Sequence, residues 1–143
     1  MVCSNVYNTR TEKDVKVSGH FKVSEFACKD GSSICLVHRY LWEKLEALRS
    51  ACGNRPITIN SGFRTYQHNK NIGGASNSYH LYGLAADIVV TGMSALKVAQ
   101  LADKIFGDTG GIGLYNGYVH IDGRLSKYRF DKRSGVEKAV DHF

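Results

Sequence analysis

Apolar residues recur three or four positions apart in two stretches of the chain, and each stretch predicts an amphipathic helix. The first stretch covers residues 36–50 and stops before Gly53, a residue type that commonly ends helices. The second runs from residue 95 to about residue 106, and Ser94 is a suitable N-cap for it. The apolar positions are Val37, Leu41, Leu45 and Leu48 in the first helix, and Leu96, Ala99, Leu101, Ala102 and Ile105 in the second. We therefore expect each helix to pack one side against a core.

Alternating apolar and polar positions predict the strands. Residues 56–60 and 85–90 are rich in β-branched side chains, and each segment is expected to form one strand. Residues 110–115 and 118–122 are expected to form a hairpin, because Asn116-Gly117 between them is a strong signal for a two-residue turn. The pattern as a whole predicts an α+β fold, in which a small antiparallel sheet carries the helices on one face.

The remaining segments have weaker patterns. Residues 1–19 are expected to be a loose N-terminal arm, and residues 20–143 a single catalytic domain. Residues 66–79 contain asparagines and adjacent glycines, which indicates a long loop of the kind that often carries function. Residues 125–143 are charged and mixed, so only a peripheral element is expected there.

Composition is that of an ordinary globular protein. Of the 143 residues, 43% are hydrophobic and 22% are charged, which argues against a disordered chain. No apolar run approaches the roughly 20 residues of a membrane-spanning helix. The polar N-terminal segment lacks the apolar stretch of a signal peptide. We therefore expect a monomer that is made in the cytoplasm.

A net charge of +6 favours anionic partners, and nucleic acids and anionic cell-wall polymers both qualify. No helix-turn-helix, RNA-recognition or zinc-finger motif accompanies the charge. The charge therefore leaves both classes of partner open.

The four cysteines, Cys3, Cys28, Cys35 and Cys52, contain no Cys-x-x-Cys pair. Their spacing does not suit a closed zinc site built from cysteines. In a cytosolic chain they are expected to be free thiols, and a Cys28–Cys35 bridge is the alternative considered.

Strand alternation brings an aspartate and a histidine toward one polar face. Asp87 is the polar exception in an apolar strand, and His120 occupies a polar position of the predicted hairpin, with Asp122 on the same face. If the two strands are neighbours, Asp87 and His120 meet in one cleft. His80 lies in the approaching loop, where Gly83 allows the backbone to turn inward.

An aspartate among aliphatic neighbours indicates a bound cation. Burial of Asp87 would cost on the order of several kcal/mol unless its charge were paired or coordinated. Two imidazoles and one carboxylate are also a suitable ligand set for a catalytic zinc ion, which keeps a fourth position open for water. We therefore predict that His80, Asp87 and His120 hold one Zn²⁺ ion per chain.

The same residues belong to a longer pattern. The chain resembles the zinc D-Ala-D-Ala carboxypeptidase and peptidoglycan endopeptidase family, which shares its fold with hedgehog signalling domains. The matching elements are Ser61-Gly62-Phe63-Arg64, Ser78-x-His80-x-x-Gly83-x-Ala85-x-Asp87, Gly111-Ile112-Gly113-x-Tyr115 and Val119-His120-Ile121-Asp122. Residues 21–30 also resemble the start of many phage lysins of this kind. The resemblance covers roughly residues 20–124.

The resemblance implies a role for each matched residue. His80, Asp87 and His120 would ligate zinc. Arg64 would bind the carboxylate of the peptide substrate, a role that suits a planar guanidinium. Ser78 would either hydrogen-bond the substrate or orient the loop.

The proton acceptor is less clearly indicated by the resemblance. Many relatives place an acidic residue three positions before the last histidine, where this chain has Gly117. Asp122 is the nearest acidic residue, and it would either accept the proton as a catalytic base or hold the imidazole of His120. Tyr115 and Tyr118 would line the cleft, bind substrate or stabilise an oxyanion, with core packing as the rival interpretation.

The predicted function is zinc-dependent hydrolysis of a peptide bond in bacterial peptidoglycan, in a D-amino-acid-containing stem peptide or cross-bridge. A phage endolysin that acts on the cell wall after release is the predicted setting, and a bacterial enzyme exported by another route is the alternative. A non-hydrolytic, zinc-containing module that binds wall peptide or protein is the alternative, and Gly117 in place of an acid favours it. A nucleic-acid-binding domain would explain the charge but would leave Asp87 without a purpose, so nucleic acid is not a predicted partner.

Overall fold

The computed structural model describes residues 4–143, which form two sheets and several helices. In chain order the elements are β1 (Ser4–Asn8), α1 (Val23–Phe26), β2 (Ile34–His38), α2 (Arg39–Ala51), β3 (Ile57–Ser61), α3 (Tyr66–Asn71), a 3₁₀ turn (Tyr79–Tyr82), β4 (Ala85–Val90), α4 (Ala95–Phe106), β5 (Gly111–Leu114), β6 (Val119–Asp122), β7 (Tyr128–Asp131) and β8 (Lys138–Ala139). The predicted α+β class is confirmed. Among the described helices, none is long and apolar enough to cross a membrane.

The central sheet has six strands in the order β3-β4-β6-β5-β7-β8. The strand β4 and the β5–β6 hairpin form where the sequence predicted them, and β4 pairs directly with β6. The sheet is mixed rather than wholly antiparallel, because β7 runs parallel to β5. This parallel pair arises because the chain leaves β6, passes the end of β5 and returns along the free edge of β5.

The helices α2 and α4 contact each other and cover one face of the sheet. The layer between them is apolar and includes Leu41, Leu45, Leu48, Ile88, Val98, Ala102, Ile112 and Ile121. The buried side of α4 differs from the predicted one, since Leu96 and Ile105 are 41% and 39% exposed. Ala99 and Ala102 are buried as predicted, and Val98 and Phe106 are buried beside them in place of Leu96 and Ile105. The large Phe106 ring gives this side more apolar area to bury.

The first helix begins later than its apolar spacing predicted. The segment Ile34–His38 is the strand β2, and α2 starts at Arg39. The partner of β2 is β1, which lies inside the segment expected to be a loose arm. Because strand pairing depends on a distant partner, the local spacing of Val37 and Leu41 could not distinguish a strand from a first helical turn.

Two further segments are more ordered than their sequences indicated. The expected loop after residue 65 begins with the helix α3, whose N-terminus is capped by the hydroxyl of Thr65. Residues 125–143 contribute β7 and β8, and Arg129 anchors β7 with a side chain that is 0% exposed. The cysteines at 28, 35 and 52 are free and buried, as expected for thiols, and Cys3 lies outside the described residues.

Candidate metal centre

A cleft of about 500 Å³ opens on the sheet face opposite the helices. Its floor contains His80, Asp87 and His120. Apolar residues of β4 and β6 alternate with these polar side chains and fill the core on the other face. The alternation along each strand therefore separates the core from the candidate site.

The three predicted ligands converge. Asp87 in β4 lies directly opposite His120 in β6, and the Nδ1 atom of His120 is 3.1 Å from Oδ1 of Asp87. His80 enters from the 3₁₀ turn, with Nε2 at 3.4 Å from Oδ2 of Asp87. One ligand atom from each residue lies within 4.8 Å of the other two. The juxtaposition expected from the sequence is thus present in the fold.

The backbone fixes which nitrogen of His80 faces Asp87. The Nδ1 atom of His80 donates a hydrogen bond to the carbonyl of Gly62 at 2.7 Å, so the other nitrogen keeps its lone pair in the neutral ring. Ser78 orients the same turn, since its hydroxyl accepts a hydrogen bond from the His80 backbone N–H at 3.2 Å. Gly83 ends the turn at φ +70°, where a Cβ would lie 2.4 Å from a backbone carbonyl oxygen. Only glycine suits that position.

Asp122 fixes the ring of His120 by accepting a hydrogen bond from the nitrogen that does not face Asp87. Its Oδ2 lies 2.9 Å from Nε2 of His120, and a carboxylate only accepts, so the proton stays on Nε2 and Nδ1 is turned toward Asp87. Asp122 also accepts from the backbone N–H of Gly111 and from two guanidinium nitrogens of Arg124. A Cβ at position 111 would lie 2.1 Å from the carboxylate, so glycine allows this close approach.

Asp122 is wholly buried, and both of its oxygens are engaged. It contacts the edge of the imidazole that points away from Asp87. Of the two roles that the sequence left open for Asp122, this placement favours holding His120 over taking a proton from the cleft.

Electrostatics at the cluster keep the Asp87 carboxylate ionised. Burial alone would raise the pKa of Asp87, but hydrogen bonds from His120 and His80 outweigh it and hold that pKa well below its usual range. Burial lowers the pKa of His80 despite its contact with Asp87. Burial would also lower the pKa of His120, but hydrogen bonds to Asp122 and Asp87 raise it to about 9. A buried carboxylate that stays ionised is thus faced by two imidazoles.

The donor set fits the predicted ion. One nitrogen of each imidazole and one oxygen of the carboxylate lie within 4.8 Å of one another at the floor of the cleft. Zinc accepts this mixture of nitrogen and oxygen ligands, and catalytic zinc sites typically have three protein ligands. The described residues at the site therefore suit a single zinc ion.

Arg64 borders the same floor. Its Nη2 atom donates to Oδ2 of Asp87 at 3.1 Å, its Nε to Ser61 at 3.0 Å, and its Nη1 to Asn69 at 3.3 Å. A guanidinium has five N–H donors, so donors remain for a ligand in the cleft. The sequence did not indicate Asn69, because its helix α3 was expected to be a loop.

The cleft walls are aromatic and charged. Tyr115 and Tyr118 stack with ring centroids 4.4 Å apart, and both are half-buried cleft residues rather than core residues. The outer wall, which adjoins Tyr115 through Phe130 at a centroid distance of 5.9 Å, was missed in the sequence because it comes from the segment expected to be peripheral. It comprises Arg124, Tyr128, Phe130, Lys132 and Glu137. A charged, aromatic segment that follows the last histidine is the signal that could have pointed to it.

A small α+β domain that gathers two imidazoles and a carboxylate at the floor of an open cleft has the architecture of a metal-dependent hydrolase. The chain belongs to the peptidase M15 family, whose model matches residues 19–122. This match confirms the family that the sequence motifs resembled.

Two relatives illustrate the family. The zinc D-Ala-D-Ala carboxypeptidase of Streptomyces albus G is 43% identical over 86 residues, which are 58% of this chain and 33% of the relative. The probable peptidoglycan L,D-endopeptidase MepK of Haemophilus influenzae is 30% identical over 91 residues, which are 57% of this chain and 48% of the relative. The matched part of the chain thus spans a third to about half of these curated relatives.

Proposed function

We propose that this chain is a zinc-dependent peptidase that hydrolyses peptide bonds of bacterial peptidoglycan. The observation that carries the proposal is the convergence of His80, Asp87 and His120, with one nitrogen of each imidazole facing the Asp87 carboxylate. Membership of the peptidase M15 family and the names of the two relatives support the substrate class. One zinc ion per chain is proposed, because the described site offers one set of three ligands.

The chain's own residues have distinct proposed tasks. When bound, zinc supplies a Lewis acid that polarises the scissile carbonyl. Arg64 binds a carboxylate of the substrate peptide, since it lies beside Asp87 and has donors to spare. Tyr115 and Tyr118 form a flat wall that orients the peptide, and Ser78 orients the turn that carries the first histidine.

The test is digestion of purified peptidoglycan sacculi by zinc-loaded protein, by chelated protein, and by chelated protein to which zinc has been returned. We expect new amino ends in the first and third samples only, because the metal supplies the electrophile. Mass spectrometry of the released muropeptides identifies the bond that is cut. Binding to sacculi without new amino ends in any sample would contradict hydrolysis and support the non-hydrolytic module instead.

A phage endolysin is the proposed setting, in which the protein accumulates in the cytoplasm and acts on the wall after release. The resemblance of residues 21–30 to phage lysins supports it, and the net charge of +6 suits adsorption to an anionic wall. Bacteria that express the protein should keep their shape until the membrane is permeabilised and should then lyse. Permeabilised cells that express His120→Ala serve as the control, and equal lysis in both cultures would contradict the proposal.

A further inference from the structure

We infer that Arg124 is a positioning residue of the metal centre, which acts on His120 through Asp122 and is itself clamped between the rings of Tyr79 and Tyr128. The inference rests on the proposed function, because it concerns how the zinc ligand is held. Nothing in the sequence pattern singled out Arg124, and it lies beyond residues 19–122 that the family model matches.

A chain of hydrogen bonds connects Arg124 through Asp122 to His120, one of the three proposed zinc ligands. The Nε and Nη2 atoms of Arg124 donate to the two oxygens of Asp122 at 2.8 and 2.7 Å, a two-point fork that fixes the plane of the carboxylate. The backbone N–H of Arg124 donates to the same carboxylate at 3.1 Å. Asp122 then accepts from Nε2 of His120 at 2.9 Å. The orientation of the imidazole is therefore set by the orientation of the guanidinium.

Two tyrosines hold the guanidinium in place. Its central carbon lies 4.5 Å from the ring centroid of Tyr79 and 4.9 Å from that of Tyr128. Tyr128 is fixed in turn, because its hydroxyl donates to Glu137 at 2.8 Å. Tyr79 precedes His80 in the 3₁₀ turn, so the clamp joins the turn that carries one ligand to the strand β7 at the other side of the cleft.

Charge explains why an arginine is needed here. Asp122 is wholly buried, and a buried carboxylate without a cationic partner is costly. Without the Arg124 side chain, Asp122 would keep only neutral backbone donors besides His120 and would lose the two-point contact that fixes its plane. The His120 ring would then lose the fixed orientation that turns Nδ1 toward Asp87. Partners that orient a metal-binding histidine typically change metal affinity by about 10–100-fold.

The experiment measures zinc affinity of the full chain by chelator competition, without substrate. We expect Arg124→Gln to weaken zinc binding by about 10-fold or more, and Arg124→Lys to recover part of the loss, because lysine restores the charge but not the fork. Asp122→Asn should weaken binding similarly, and the double variant should lose little beyond either single change. With Co²⁺ as the probe metal, the visible absorption spectrum of Arg124→Gln should differ from that of the unmodified protein.

The chain offers a matched control. Arg133 makes the same two-point fork to Asp131, two residues before it, at the exposed end of β7 and outside the cleft. Arg133→Gln should leave zinc affinity and the Co²⁺ spectrum unchanged. Equal affinity losses in Arg124→Gln and Arg133→Gln would indicate a general effect and would overturn the inference.

The remaining outcomes are also decisive. Unchanged zinc affinity and an unchanged Co²⁺ spectrum in a folded Arg124→Gln variant contradict the inference. If that variant does not fold, Tyr128→Leu takes its place, because it removes one side of the clamp and leaves the ion pair intact. A several-fold loss of affinity in Tyr128→Leu then supports the inference, and no loss overturns it. Absence of zinc binding by the unmodified protein would contradict the proposed function itself.

Discussion

The His120→Ala variant is expected to lose zinc and, with it, measurable hydrolysis of peptidoglycan. Alanine removes one of three protein ligands and deprives Asp87 of the hydrogen bond at 3.1 Å that helps to keep it ionised. Loss of roughly 4 kcal/mol of transition-state stabilisation corresponds to about a 1000-fold lower kcat/KM, and loss of the metal removes at least that much. Bound zinc is measured by atomic absorption, and turnover by the release of amino ends from sacculi.

Two comparisons make this result specific. His142→Ala alters an exposed histidine near the C-terminus and should keep full zinc content and turnover. Arg64→Lys should keep its zinc but lose about 10–100-fold in kcat/KM on peptides with a free carboxylate, because lysine cannot form the planar two-point contact. If the His120→Ala variant retains zinc and full activity, His120 is not a zinc ligand. An unchanged kcat/KM in Arg64→Lys would refute carboxylate binding by Arg64.

The placement of Asp87 and His120 on the polar faces of their strands could be predicted because it depends on local rules. Side chains alternate with a period of two along a strand, so apolar neighbours on one face place Asp87 and His120 on the other. The turn at Asn116-Gly117 fixes the hairpin that carries His120. His80 was predicted from its place in the loop that approaches β4, with Gly83 as the residue that lets the backbone turn inward, because this turn has no periodic pattern of its own.

The outer wall of the cleft could not be predicted in the same way. The strand β7 forms by pairing with β5 in parallel, and such pairing is decided by distant chain segments rather than by the sequence of the strand itself. Arg124 and Tyr128 meet only because β7 returns beside β5. Asn69 was missed for a different reason, since the short helix α3 that presents it is stabilised by a cap at Thr65 and by side-chain contacts with Arg64.

The floor and the outer wall of the site thus have different origins in the chain. The floor comes from β4, β6 and the turn before β4, which lie inside the family match at residues 19–122. The outer wall comes from residues 124–137, which lie outside that match. The stability of the outer wall therefore depends on what holds β7 against the rest of the fold.

Arg129→Met should lower the free energy of unfolding by about 3–5 kcal/mol, because Arg129 is the buried cation that holds β7. Its side chain is 0% exposed, and its Nε donates to Asp103 of α4 at 2.6 Å. Its Nη1 and Nη2 atoms donate to the carbonyls of Gly110 and Gly107 at 2.6 and 2.9 Å. Methionine fills similar space but leaves the Asp103 carboxylate without its cationic partner and removes a donor from each of these carbonyls, and each lost partner is costly when buried.

The effect is large relative to the 5–15 kcal/mol that stabilises a typical domain, so equilibrium unfolding in urea at 25 °C should detect it clearly. Arg133→Met is the control, because its side chain is 46% exposed and its ion pair with Asp131 is at the surface. Surface changes of that kind usually alter the unfolding free energy by about 0.5 kcal/mol or less. If the free energies of unfolding of Arg129→Met and Arg133→Met differ by less than about 1 kcal/mol, Arg129 is not what secures β7, and strand pairing holds the outer wall instead.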